Sequence, residues 1–327
     1  MSKIRFLTSS DEHLADLAPG FRKDDYRNSI LQKLIWQGQT AKRASCDAVL
    51  RGGDFFHVKA ANKTTHATVQ LAASIHNEYS CRTYALSGNH DMTNNDPDSV
   101  LRQQPLGVLY RTGIFNQLTE QVFEDGSMKV RVVGVPYTTD LNVDQLHSMV
   151  RKRDDDGHVV AVVHALASFA PDEKIQSFFN ETIFDYRDLV FNGCPDAYVF
   201  GHYHKDQGIV DHLGVKFINL GAVSRGALTF ENLERKPKVS LLSFTSQGVD
   251  AEEIEIPCAD ASDIFDLSLK KRLDNERKDL SDFISKLKSN TSSEVLDRNA
   301  MLQHYPDSLR TLALDILEAA ESGVLDE

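Results

Sequence analysis

Ala48-Val49-Leu50-Arg51-Gly52-Gly53-Asp54 decides how this chain is read: an apolar, β-branched run stops at two glycines and delivers an aspartate. Ala48–Leu50 has the composition of a strand, and the two glycines let the backbone turn and approach whatever the aspartate holds. The same event recurs on either side. Lys3–Ser9 is a strand-like run leading to Asp11 and His13, and Thr83–Leu86 is another, leading to Gly88-Asn89-His90-Asp91. Between the runs, Arg27–Arg43 carries Ile30, Leu31, Leu34 and Ile35 at helical spacing, and Thr64–Tyr79 repeats the pattern through Val69, Ala72, Ala73 and Ile75. Such a β-α-β-α-β opening implies parallel strands joined by helical crossovers.

Further along, strand-like runs crowd closer: Val130–Val135, Val159–His164, Ala197–Phe200, Val215–Asn219 and Val239–Phe244. With fewer helices between them, the expected fold is α/β, a two-sheet sandwich flanked by helices rather than an open doubly wound sheet. Two more polar clusters end these runs, a lone His164 and Gly201-His202-Tyr203-His204. Ligands carried at the carboxyl ends of strands follow the general rule for α/β sites.

All five clusters consist of carboxylate, amide and imidazole groups without sulfur, a set suited to Mn²⁺, Fe or Zn²⁺. Any one alone is ordinary turn or buried-histidine chemistry. Their succession, each at a strand end, points to two divalent ions and phosphoester hydrolysis. Two ions about 3.5–4 Å apart need a bridging carboxylate, and Asp54 on its Gly-Gly turn is the natural bridge. Strand alternation is expected to turn Asp11 and His13 to one side and Glu12 away; the same spacing lets His202 and His204 reach a single cluster. Asn89 offers a carbonyl oxygen and His164 an imidazole. His90, beside a ligand without being needed as one, is suited to protonate a leaving oxygen.

Composition sets the outer bounds. The 327 residues are 41% hydrophobic, enough for a catalytic domain of about 230 residues plus an appendage. Cys46, Cys81, Cys194 and Cys258 form no CxxC pair, as expected of reduced thiols in the cytoplasm. Met1-Ser2-Lys3-Ile4 enters a strand directly, without a signal-peptide core, and no apolar run approaches the ~20 residues of a membrane helix. A net charge of −12 excludes a polycation that coats nucleic acid. It does not exclude a nucleic-acid enzyme whose metals bring local positive charge. The expected division is 1–224 for the catalytic domain, 225–258 for a short β capping or closing segment, and 259–327 for a helical C-terminal region. In the last, Leu269, Leu273, Leu280, Ile284 and Leu287 form one apolar stripe, and Leu309, Leu312, Ala313, Ile316, Leu317 and Ala320 a second.

The five clusters together resemble those of calcineurin-like metallophosphoesterases. Gly52-Gly53-Asp54-Phe55-Phe56-His57, with a histidine three residues after the aspartate, is similar to SbcD-type DNA double-strand-break repair nucleases. So is Asn219-Leu220-Gly221-Ala222-Val223-Ser224-Arg225-Gly226 after the last cluster. The resemblance spans roughly Met1 to Phe244. It implies one metal held by Asp11, His13, Asp54 and His204, and a second held by Asp54, Asn89, His164 and His202. His90 would protonate the leaving group, His57 would position the phosphate or the exiting strand, and Asp91 would orient His90. Mn²⁺ is the implied ion, with Mg²⁺, Fe and Zn²⁺ as alternatives. Arg22, Lys23, Arg27, Lys59, Lys63 and Arg225 are candidate DNA contacts. His66, His76, His147, His158, His212 and His304 match no motif and read as surface or structural. The family further implies an SbcC-type ATPase bound through the C-terminal helices, and a homodimer. Competing expectations are a phosphoesterase for small diesters or phosphoproteins and a non-catalytic scaffold on the same fold.

Overall fold

The computed structural model describes residues 2–57, 64–126, 128–171, 176, 181–272 and 275. It divides into Met1–Asp266 and Leu267–Glu327. Most of the second unit, with nearly all of both apolar stripes, lies outside the described residues, as do Lys59 and Lys63. Among the described residues no helix is long and apolar enough to cross a membrane.

Two six-stranded sheets face one another, as the second half of the sequence led us to expect. Strands β1 (Ile4–Ser9), β2 (Ala48–Arg51), β3 (Arg82–Ala85) and β4 (Phe115–Gln117) run parallel in the first sheet. The second sheet contains β5 (Glu120–Asp125), β6 (Met128–Val135), β7 (His158–His164), β10 (Ala197–Gly201), β11 (Asp206–His212) and β12 (Val215–Leu220). Its order is β11-β12-β10-β7-β6-β5, with parallel central strands and antiparallel edges. The two-residue strands β8 (Ala167–Ser168) and β9 (Phe184–Asp185) pair on their own. The chain then returns to the first sheet with β13 (Lys238–Thr245) and β14 (Gly248–Glu255), giving the order β14-β13-β1-β2-β3-β4. The expected capping or closing segment 225–258 is therefore where β13 and β14 complete the first sheet, antiparallel to β1 and to each other.

Period-two alternation sorts the side chains. Phe6, Leu50, Tyr84, Leu242 and Phe244 from the first sheet meet Val130, Val132, Val160, Val162 and Ile218 from the second in the central core. On the outer face of the first sheet, α1 (Tyr26–Arg43) and α2 (His66–Asn77) bury Ile30, Leu34, Val69 and Ala72 against Phe55, Ala85 and Phe115. Asp25 and Thr65 cap these helices by accepting backbone N–H bonds from Asn28 and Thr68. The short helices α3 (Asp98–Gln103) and α4 (Pro105–Arg111) extend that layer, and α5 (Val143–Val150) covers the second sheet through Leu146 and Val150.

The three opening strands, α1 and α2 lie within two residues of their expected bounds. Missing from the sequence reading, besides the two-residue β8 and β9, are β4, β5, β11 and β14. These four are the edge strands of the two large sheets. All four expose polar or charged residues, β4 through Asn116 and Gln117, and β14 carries Asp250, Glu252, Glu253 and Glu255. Charged edges discourage strand addition by another chain, and for the same reason weaken the hydrophobic signature of a strand.

Candidate two-metal centre

Every cluster arrives where a strand ends, from both sheets. The loops after β1 and β2 are zipped together: Asp11 N–H donates to Gly53 O at 3.1 Å, His13 N–H to Asp54 O at 3.0 Å and Leu14 N–H to Phe55 O at 2.8 Å. Asp11 (φ 57°), His13 (φ 46°), Asp54 (φ 54°) and His202 (φ 85°) all have left-handed backbones. Strand alternation therefore does not bring Asp11 and His13 together, as expected from their spacing; the chain has left the strand and turns at each ligand. Such conformations cost of order 1–3 kcal/mol apiece and cluster at functional sites. Glu12 does face away, buried against Arg51.

Close backbone approach sets the glycines. A Cβ on Gly88 would lie 2.1 Å from Asp54 Oδ1, and one on Gly53 2.3 Å from His164 Nδ1. These side chains occupy the space that only a missing Cβ leaves open.

Among the described residues three groups of donors result, with donor atoms within 4.8 Å in each: Asp11, His13, Asp54 and His204; Asp54, His164 and His202; and His13, His57 and His90. Asp54 belongs to the first two and is the carboxylate they share. His204 falls in the first group and His202, in the left-handed turn after β10, in the second, the division the resemblance implies, although strand spacing alone would let both reach one cluster. Asn89 Oδ1 is 3.4 Å from His164 Nε2, bordering the second group. His164 is held by Nδ1–H donating to Gly52 O at 2.6 Å, and the His202 backbone N–H donates to Asp11 Oδ1 at 3.1 Å.

The residues fit divalent cations. Asp54 Oδ2 is fully buried with no hydrogen-bond partner among the described residues, 3.8 Å from His13 Nε2 and 3.5 Å from His164 Nε2. His13 Nε2 and His204 Nε2 face each other at 2.9 Å. A buried oxygen without a donor, ringed by imidazole nitrogens, is expensive unless a cation is shared among them. The electrostatics agree. Burial works to raise Asp11, but His204 and then His164 hold its carboxyl down at about 2. Burial likewise opposes ionisation of Asp54, yet His164, His13 and His90 keep it well below the usual carboxylate range. Burial disfavours charge on His164, but Asp54 and Asp11 draw it up to about 9. The cluster demands positive charge.

Beside it, the His57 and His90 rings stack with centroids 5.4 Å apart and planes at 11°. His57 Nδ1 lies 3.2 Å from His13 Nδ1, and His90 Nδ1 lies 2.9 Å from His57 O. Asp91, expected to orient His90, instead accepts backbone N–H bonds from Phe55 (3.2 Å), Phe56 (3.0 Å) and Gly88 (3.0 Å). It ties the second and third loops together. Burial, with Asp54 nearby, pushes its carboxyl up to about 7.

Two of the candidate DNA contacts are corrected. Arg22 is buried on Asp24 and the carbonyls of Ser224 and Arg225, and Arg225 is buried on the carbonyls of Asn232 and Ala259. Both brace the loop after β12, because unpaired carbonyls there need donors. Lys23 is exposed, and Arg27 is partly exposed on Asp16.

Sequence reasoning missed Tyr137 and Glu181. Glu181 Oε2 lies 2.8 Å from His202 Nε2, and Tyr137 O–H donates to Glu181 Oε1 at 2.8 Å. Tyr137 had a usable signal, since it follows β6 as the clusters follow their strands. Glu181 had none, since no apolar run precedes it.

A family profile described as calcineurin-like phosphoesterase matches residues 4–206. No curated protein matches the chain. Among solved structures, the chain is similar to an archaeal phosphodiesterase (13% identity, TM-score 0.37, 77% of this chain and 99% of that one). It is also similar to the sulfate thiohydrolase SoxB of Thermus thermophilus (12%, TM-score 0.44, 80% and 58%). A third is the protein TT1561, also of Thermus thermophilus (10%, TM-score 0.44, 78% and 100%).

Proposed function

The chain belongs to the calcineurin-like phosphoesterases, metal-dependent hydrolases of phosphoester bonds, and from that premise we propose that it is a DNA nuclease of the SbcD type, using two divalent ions, Mn²⁺ in the first instance. The observation that carries this reading is the second imidazole beside His90. His57 lies against His13 and stacks on His90 next to both donor groups, an arrangement that simple phosphate removal does not require.

Divalent cations in such a site supply Lewis-acid stabilisation of phosphoryl oxygens and lower the pKa of a water. Asp11, His13, Asp54 and His204 would hold one, and Asp54, Asn89, His164 and His202 the other. The remaining work falls to the histidines. His90 donates Nδ1–H to the His57 carbonyl, so as an imidazolium it would carry its second proton on Nε2, pass that proton to the departing oxygen and remain as the neutral Nδ1–H ring. With a cation held on His13 Nε2, the His13 proton would sit on Nδ1 and donate to His57 Nδ1, and His57 would carry its own proton on Nε2 as a donor to a phosphate oxygen.

The test is digestion of end-labelled single- and double-stranded DNA with Mn²⁺ and with chelator, beside His90→Ser. Metal-dependent cleavage slowed about 10²- to 10⁴-fold in the variant supports the reading. A second reading, a phosphodiesterase for small diesters, is favoured by the commitment of Arg22 and Arg225 to protein carbonyls. Intact hydrolysis of bis(p-nitrophenyl) phosphate without DNA cleavage would select it. The nuclease reading extends to an SbcC-type ATPase partner bound through residues 259–327. Loss of co-purification on truncation after Asp266 tests that extension.

A further inference from the structure

His202 is the donor whose surroundings are least explained by the site so far. Its backbone is pinned by Asp11, which accepts its N–H at 3.1 Å. Its ring meets a carboxylate that belongs to none of the donor groups: Glu181 Oε2 lies 2.8 Å from Nε2. The second Glu181 oxygen accepts the Tyr137 O–H at 2.8 Å, and the Tyr137 ring packs 5.3 Å from that of His202. Glu181 is not on a free tether. Ile183, which follows it closely, is buried, Phe184 and Tyr186 join the outer core of the second sheet, and β9 begins at Phe184.

An imidazole has two nitrogens, and a neutral ring protonates only one. A carboxylate on one nitrogen takes its N–H and leaves a lone pair on the other; metal-binding histidines are commonly oriented this way. We propose that Glu181, oriented by Tyr137, is a positioning residue that holds His202 as the Nε2–H tautomer, so that Nδ1 is the nitrogen offered to a cation shared with Asp54 and His164. The tyrosine fixes the carboxylate, the carboxylate fixes the ring, and the fixed ring spares the second cation the cost of ordering its ligand. This inference rests on the two-cation reading above.

The experiment uses Zn²⁺ as a diamagnetic probe on ¹⁵N-histidine-labelled protein. Long-range ¹H–¹⁵N correlation is expected to show His202 with a protonated Nε2 and a metal-shifted Nδ1. Competition against a chromophoric chelator is expected to show two equivalents of Zn²⁺ on the parent. Glu181→Ala should bind the second about 10- to 100-fold more weakly with the first unchanged. Glu181→Gln, which retains an acceptor without the charge, should fall between parent and Glu181→Ala, and Tyr137→Phe should weaken the second equivalent less than Glu181→Ala. A metal on His202 Nε2, or unchanged second-site affinity in Glu181→Ala, overturns the inference while leaving the two-cation reading intact. Uptake of fewer than two equivalents by the parent overturns that reading and the inference with it.

Discussion

Removing Arg51 should do more damage than removing Arg51 and Glu12 together. Both side chains are fully buried, and Arg51 Nη1 meets Glu12 Oε1 directly. The guanidinium also donates to Ser9 Oγ (3.0 Å), Gln37 Oε1 (3.0 Å), Tyr79 OH (3.3 Å) and His76 Nε2 (2.8 Å). His76 accepts because its own Nδ1–H is given to Ala72 O at 2.7 Å. Nevertheless Arg51 Nε and Glu12 Oε2 have no hydrogen-bond partner among the described residues, so the pair is incompletely satisfied there. Breaking a buried pair strands a charge and costs about 3–5 kcal/mol, whereas replacing both members by apolar groups is often near neutral. Arg51→Met should therefore lose about 3–5 kcal/mol, roughly 6–20 °C in Tm for a unit of this size. Arg51→Met/Glu12→Leu should recover about 2 kcal/mol or more of that loss. The assay is urea denaturation at pH 7 in chelator, so that metal binding does not mask the difference. Single losses that add to the double within about 0.5 kcal/mol would refute the coupling. The site should register the same perturbation, because Glu12 sits between Asp11 and His13 and the pair braces their left-handed turns. Arg51→Met should weaken metal uptake while the double variant regains part of it.

Gly88→Ala would place Cβ 2.5 Å from Asp54 N, a backbone atom that cannot swing aside. It should cost about 1–3 kcal/mol and abolish uptake of at least one Zn²⁺ equivalent; unaltered stoichiometry by titration would falsify the close-approach argument. Arg225→Ala should lose about 1.5–3 kcal/mol through the stranded Asn232 carbonyl and leave the salt dependence of any DNA binding unchanged, as measured by fluorescence anisotropy. Asp156 is buried on Arg131 at 2.6 Å; burial opposes ionisation, but the guanidinium and the Arg153 N–H hold its carboxyl below the ordinary 3.8. A folded value below the unfolded one means the contribution is complete above pH 3.8 and lost as pH falls through the folded value. The stability gap between parent and Asp156→Asn should be flat from neutral pH to about 5 and then close under acid; a gap independent of pH would refute the assignment.

The sequence alone was enough to determine a two-sheet α/β fold and to single out side chains that the fold gathers at one place. Apolar β-branched runs report buried strands directly, and a polar cluster at the end of each run has few places to go but the common edge of the sheets. The charged edge strands were illegible because a strand with one solvated face and one neighbour has little need of an apolar pattern. Asp11, His13, Asp54, Asn89, His164, His202 and His204 could all be named as candidate donors from the sequence. How they meet could not. Strand alternation predicted the facing of Asp11 and His13 for the wrong reason, since left-handed turns bring them round, and a similar turn at His202 separates it from His204. Backbone handedness at a loop residue is set by contacts across loops, here the Asp11–Gly53 and His13–Asp54 hydrogen bonds, and those contacts join residues about 40 apart. Arg22 and Arg225 looked like phosphate contacts because charge is visible in a sequence and burial is not. Glu181 was invisible for the complementary reason: its role depends on one 2.8 Å approach to a histidine, and only tertiary packing makes that approach.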